Sequence, residues 1–216
     1  MDGRMLLVIV FALAVFVIIV KIAINTADQT TYRSSSGSRK STPRRFMNTI
    51  GELDPRANEL FAASTRAAST YYDRLPAELA EEIDGDRWTG AVVAACVATA
   101  FSSIARMPQG VQTYIVPRIM ELAEEYRLPD GTDVGIDSKM SEVIAVYVDV
   151  FQKHQHRADV ALRASDTVAY WIICSSGTPA AVQILREMNE EQRMHTLTNL
   201  GLGVSMPYDD WWTKEA

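Results

Sequence analysis

Residues 87–106, RWTGAVVAACVATAFSSIAR, show what kind of fold to expect, because they carry no charge over the eighteen positions from Trp88 to Ala105. An uncharged helix of this length is typical either of a buried central helix or of a membrane span. Small residues dominate the stretch and would let neighbouring helices approach closely, which favours a central helix. These small residues are Gly90, Ala91, Ala94, Ala95 and Ala98.

Upstream of this stretch the sequence predicts two further helices. Asp54 is a residue type that caps helix N-termini, and Pro55 has the fixed φ preferred at a first helical position. The helix that begins there is expected to run through an alanine-rich segment to Tyr72. Pro76 then begins a short acidic helix that reaches Ile83.

Downstream, apolar residues recur every three or four positions in three segments between residues 115 and 172, as on one face of a helix. Thr178 and Pro179 begin a last helix, and Gly201 is the natural residue to end it. No segment shows the sustained alternation of a strand. The sequence therefore predicts an all-α fold, a compact antiparallel bundle of about six or seven helices in a domain spanning residues 47–203.

Residues 1–25 are predicted to be a single transmembrane anchor. At about 1.5 Å per residue, the twenty largely apolar positions from Met5 to Ile24 reach about 30 Å, the thickness of a bilayer core. A cleaved signal peptide, the alternative, has a shorter apolar region and a better cleavage site than the ones at Ala23 and Ala27. The residues expected to hold the anchor in the bilayer are Met5, Leu6, Leu7, Phe11, Phe16, Val20 and Lys21.

Residues 26–46 are predicted to be a flexible basic linker, because they are rich in Ser, Thr and Arg and show no hydrophobic periodicity. Their basic residues are candidates for contact with anionic lipid, unless they only set topology and keep the linker soluble. Their excess on this side of the anchor predicts that the domain is cytoplasmic, beside an inner or plasma membrane. The residues are Arg33, Arg39, Lys40, Arg44 and Arg45.

Charge is divided unevenly, since residues 1–46 carry a formal charge of +5 and the remainder carries −11. An acidic domain lacks the basic surface that binds a phosphate backbone, so nucleic acid is not an expected partner. The acidic clusters Glu78/Glu81/Glu82 and Glu121/Glu124/Glu125 are interpreted as solvated helix faces, with a docking surface as the alternative.

The common signatures of nucleotide binding and hydrolysis are missing from the sequence, so no catalytic residue, cofactor or metal site is predicted. His154 and His156 would face different sides of a helix, and the loop at residues 130–137 departs from the calcium-binding pattern at three places. Cys96 and Cys174 are predicted to be buried, reduced thiols, or one disulfide if the domain were exported.

Residues 204–216 are predicted to form an aromatic, acidic tail beyond the helical body. Aromatic rings give a large contact area at low entropic cost, so Tyr208, Trp211 and Trp212 are candidates for docking a partner. The alternative is that the tryptophan rings fold back and cover an apolar edge of the same domain.

These features predict a membrane-anchored adaptor, scaffold or accessory subunit. Its expected partners are the lipid bilayer and other proteins of unknown identity, with self-association left open. The alternative is a membrane-tethered enzyme or small-molecule sensor with a pocket between helices. Side chains that would serve such a pocket are Tyr71, Tyr72, His154, Cys174 and Arg186.

Overall fold

The computed structural model describes residues 53–104 and 109–213, and these residues form eight helices and no strand. The all-α prediction is confirmed, and the arrangement is that of a helical bundle. No helix within these ranges is long and apolar enough to cross a membrane. The helices are α1 Leu53–Tyr72, α2 Ala77–Ala80, α3 Gly85–Ile104, α4 Gln109–Glu125, α5 Ile136–His154, α6 Val160–Ser176, α7 Pro179–Glu187 and α8 Glu190–Thr213.

The predicted anchor at residues 1–25 and the predicted basic linker at residues 26–46 lie outside the described residues. Both stay predictions from the sequence.

Helix α3 is the centre of the bundle and packs against α1, α5, α6 and α8. Every side chain at residues 91–98 is buried, so α3 is covered on all sides over two turns. This burial confirms the prediction of a central core helix. Gly90 shows why small residues are needed, because a Cβ atom there would lie 2.9 Å from the Cβ of Val134.

Two apolar clusters lie on either side of α3, and each contains one buried tryptophan. Trp88 belongs to the larger cluster, formed mainly with α1, α6, α7 and α8, and its Nε1 donates a hydrogen bond of 2.8 Å to the carbonyl oxygen of Ala68. Trp211, near the end of α8, belongs to the second cluster with residues of α1, α4 and α5. Helix α3 thus supplies side chains to both clusters and joins them into one core.

The last helix ends later than the sequence predicted. Gly201 does not end it, since α8 continues through Pro207 to Thr213. The glycines serve packing instead: a Cβ on Gly201 would lie 2.6 Å from the carbonyl oxygen of Ser165, and one on Gly203 would enter the ring of Tyr71. Helix α8 therefore runs across the predicted boundary between residues 203 and 204 and includes most of the predicted tail.

Candidate functional site

A groove of about 660 Å³ opens where α2, the end of α7 and the beginning of α8 meet. We call it the α7–α8 groove. Helix α2 and the proline before it contribute Pro76, Ala77 and Glu78, and α7 with its last connection contributes Ile184, Glu187 and Met188. Helix α8 contributes Glu191, Gln192, His195 and Thr196.

Hydrogen bonds around Thr178 fix α2 beside α7. The Thr178 amide donates to the carbonyl oxygen of Glu82 at 2.9 Å, and its hydroxyl donates to the Glu82 carboxylate. The same hydroxyl oxygen accepts from the Ala180 amide at 3.2 Å and so caps α7, as Thr178 and Pro179 predicted. The two walls of the groove are therefore joined at one residue.

The corner between α7 and α8 shapes the other side of the groove. Met188 leaves the helical conformation with a ψ of 143°, which ends α7. The side-chain oxygen of Asn189 then accepts a hydrogen bond of 2.8 Å from the Gln192 amide and caps the first turn of α8. This break divides the single last helix expected from the sequence into two.

The floor of the groove is apolar. Ile184 and Met188 lie one helical turn apart, are half-buried, and pack against the larger core cluster. Leu185, which follows Ile184 in the sequence, is fully buried in that cluster. Because the floor rests directly on the core, it has a fixed position relative to the rest of the domain.

The rim of the groove is negatively charged. Glu78, Glu187 and Glu191 are all exposed, and they come from α2, α7 and α8. Among the residues that line the groove there is no lysine or arginine, and none of them is buried. His195 contributes an imidazole whose ring nitrogens lie 3.0 and 3.1 Å from the amide nitrogen of Asn199. The groove thus combines an open apolar floor with a carboxylate rim.

Tyr71 and Tyr72, two of the side chains proposed for a pocket, are structural. The Tyr71 ring is buried beneath α8, and its hydroxyl donates to the sulfur of Met206 at 3.1 Å. The Tyr72 hydroxyl donates to the carbonyl oxygen of Ala80 at 3.2 Å, and its ring meets Trp88 edge to face. Neither side chain lines the groove.

His154, Cys174 and Arg186 also lie away from the groove lining, on three different helices. His154 occupies the last turn of α5, and Arg186 is exposed in the last turn of α7. The five side chains therefore do not form one pocket. His156 follows the end of α5 and is exposed, as expected for a surface histidine near a helix C-terminus.

The two cysteines differ from each other in exposure. Cys96 is buried in α3, where desolvation raises the pKa of its thiol to about 12 against a smaller opposing hydrogen bond with Ser64. Cys174 is exposed on α6, so the prediction of two buried thiols is wrong for this residue. Its exposure follows from the helix period, because the neighbouring Ile172 and Ile173 already occupy the buried face.

The Asp/Gly-rich loop before α5 uses its carboxylates to build turns. A side-chain oxygen of Asp130 accepts from the Thr132 amide, and one of Asp133 accepts from the Gly135 amide, both at 2.8 Å. The hydrogen bonds with Thr132 lower the pKa of Asp130. Within the described residues, no three His, Cys, Asp or Glu side chains are placed to hold a metal ion.

Of the C-terminal aromatic residues, Trp211 follows the alternative in which the ring folds back on the domain. Trp211 is 2% exposed and lies under the Arg56 guanidinium, which donates hydrogen bonds of 3.1 and 3.3 Å to the Trp211 carbonyl oxygen. Trp211 therefore packs within its own domain. Tyr208 is half-buried beside it, and the side chain of Trp212 is outside the described residues. Partner docking through Tyr208 and Trp212 stays a prediction.

Comparisons of this chain with protein-family models, with known proteins and with solved structures find no match. The site is therefore interpreted from its own residues. Sequence reasoning marked Glu78 only as part of an acidic cluster and did not connect it with Glu187 or Glu191. More than a hundred positions separate Glu78 from these residues, and no local pattern reports that they meet.

Proposed function

We propose that this protein is a single-pass membrane adaptor, scaffold or accessory subunit that binds another protein through the α7–α8 groove. The observation that carries the proposal is the groove itself, an apolar floor of Ile184 and Met188 within a carboxylate rim. An apolar centre surrounded by polar groups is the usual arrangement of a protein interface. A bundle with a fixed corner of this kind can hold a partner without rearranging its core.

The membrane part of the proposal is supported by the sequence. The apolar run from Met5 to Ile24 has the length of a bilayer core, and the basic residues of the linker favour a cytoplasmic domain beside an inner or plasma membrane. Residues 47–216 carry a formal charge of −11 and would be repelled by anionic lipid. The carboxylate rim of the groove would likewise be repelled by the headgroups, so we expect the groove to face the cytoplasm.

The groove volume also favours a second candidate, a membrane-tethered enzyme or small-molecule sensor. About 660 Å³ lies within the range of about 300–1,000 Å³ that is usual for small-molecule sites. Such sites, however, cover most of the surface of their ligand. Because none of the residues that line this groove is buried, it suits contact with a larger partner better.

Site-specific photo-crosslinking in intact membranes tests the adaptor function. A benzoylphenylalanine replaces Gln192, which lines the groove, or Gln152, an exposed glutamine of α5 that serves as the matched control. We expect a discrete adduct with another polypeptide from position 192 only, and we expect it to remain in the pellet after extraction with alkaline carbonate.

Equal adducts from Gln152 and Gln192 would refute a groove-specific partner, as would the lack of any adduct from Gln192. Release of the intact chain into the carbonate supernatant would refute the membrane anchor. A small-molecule site would instead give no adduct, while soluble ligands in a cell extract would raise the thermal stability of the domain.

A further inference from the structure

We propose that the α7–α8 groove binds a cationic amphipathic helix of the partner, with Lys or Arg on its rim-facing sides and apolar residues toward the floor. This proposal rests on the adaptor function and adds the chemistry by which the partner is recognised. The argument uses the charge of the rim, the geometry of the floor and the rigidity of the walls.

The rim carboxylates converge from separate elements. Glu78, Glu187 and Glu191 belong to α2, α7 and α8, so their proximity is a product of the fold and not of one solvated helix face. The residues that line the groove include no lysine or arginine to neutralise them. A Lys or Arg of a partner supplies the opposite charge, and complementarity of this kind selects the partner and speeds association.

The floor has the spacing that a helix recognises. Ile184 and Met188 are four positions apart and form one row along α7 that lines the groove, each half-buried and each with part of its surface open. An amphipathic helix binds such a row through apolar residues at three- and four-residue spacing. A methionine suits this role because its unbranched side chain adapts to different partner surfaces.

The walls are fixed before any partner arrives. Thr178 joins the segment after α2 to α7, and Asn189 caps α8 immediately after the corner. The floor packs against the larger core cluster. A site held in this way loses little conformational entropy when a partner binds.

Methyl NMR of the full chain in nonionic detergent micelles tests the proposal. The methionine methyl groups carry ¹³C, and Met188→Leu assigns the Met188 resonance. The probe is a synthetic amphipathic helix of Lys and Leu, and two matched peptides replace either every Lys by Glu or every Leu by Ser. We expect only the Lys/Leu peptide to shift Met188 to saturation, without moving Met206, which is exposed elsewhere on α8.

Charge variants identify the responsible residues. In Glu78→Gln/Glu187→Gln/Glu191→Gln, we expect the apparent Kd to rise at least about tenfold, because the charge complementarity of the groove is removed. The matched control, Glu59→Gln/Glu124→Gln/Glu125→Gln, removes three exposed charges that do not line the groove and should leave the Kd unchanged. Unchanged resonances of Met140, which is buried in α5, show that the bundle is folded in both variants.

Three results would overturn the proposal: equal shifts of Met188 with all three peptides, a Kd that does not depend on the groove carboxylates, or no shift with the Lys/Leu peptide. A shift of Met188 on neutralising the five basic residues of the linker, without any peptide, would also overturn it, because the occupant would then be the chain's own linker. If position 192 forms an adduct and any one of these results is also obtained, the adaptor function is still supported. Only the proposal of a cationic helix is then refuted.

Discussion

Helix α3 and the α7–α8 groove differ most clearly in how much of their surface the rest of the bundle covers. Residues 91–98 of α3 are buried without exception, whereas none of the residues that line the groove is buried. Covered side chains hold the fold together, and substitutions among them leave cavities or clashes. Uncovered side chains at a fixed corner are free to contact a partner. The comparison predicts which substitutions change stability and which change recognition.

The largest expected difference is in the reactivity of the two cysteines. Cys96 in α3 is buried with a pKa raised to about 12, whereas Cys174 on α6 is exposed. Since the thiolate is the reactive form, a thiol reagent at pH 7.5 should modify Cys174 at least about a hundredfold faster than Cys96. Mass spectrometry of the native full chain measures both rates. Similar rates would show that α3 is not covered.

Trp88→Ala should cause the largest loss of stability, about 3–5 kcal/mol in the free energy of unfolding, because it opens a cavity beside α3. It also removes the hydrogen bond to the Ala68 carbonyl oxygen. Urea unfolding in nonionic micelles, followed by circular dichroism, measures the change. The control is Trp171→Ala, since Trp171 is half-buried and donates to the exposed Glu142. Equal losses in the two variants would contradict the account.

Gly203→Ala should cost about 1–3 kcal/mol, because a methyl group there overlaps the buried ring of Tyr71. Gly85→Ala is the matched control, since a Cβ at Gly85 meets no atom within 4 Å. The same urea titration measures both. If Gly203→Ala were as stable as Gly85→Ala, the close packing of α8 on α1 would be refuted.

Thr178→Ala should cost about 1 kcal/mol, because it removes the cap of α7. It also removes the hydroxyl that joins α7 to Glu82. Thr178→Ser keeps the hydroxyl and should retain most of the stability. Hydrogen exchange of the amides in α7 measures the effect locally, and equal exchange in the two variants would mean that the hydroxyl does not hold the groove wall.

The smallest effect on stability is expected for Glu78→Gln/Glu187→Gln/Glu191→Gln. Each of these carboxylates is exposed, so the triple variant should change the free energy of unfolding by only about 0.5 kcal/mol. A loss as large as that of Trp88→Ala would show that the groove is part of the structural core. The comparison between α3 and the groove would then fail.

The sequence predicted well those helices that are determined by residues within or next to the helix itself. The long uncharged segment with its small residues predicted α3, and Thr178 with Pro179 predicted the start of α7, because the capping residue and the proline act on their own helix. The prediction for Gly201 was wrong because the sequence does not distinguish a glycine that ends a helix from a glycine that allows two helices to pack closely. Only its proximity to Ser165 distinguishes them.

The groove could not be predicted because it depends on tertiary packing. Its acidic rim brings Glu78 close to Glu187 and Glu191, which are more than a hundred positions away in the sequence. The corner between α7 and α8 depends on a helix break at Met188, and no glycine or proline marks this break in the sequence. Asn189 was the one local signal, since asparagine is a common N-cap. The burial of Trp211 likewise depends on Arg56, from the other end of the domain.

The measurement that tests the central claim most directly combines the crosslink with the charge variants in native membranes. Benzoylphenylalanine at position 192 is introduced into the natural sequence, into the groove triple variant and into the Glu59/Glu124/Glu125 control. The account predicts that the adduct is lost in the groove variant and retained at full yield in the control. An adduct of equal yield in all three chains would contradict it.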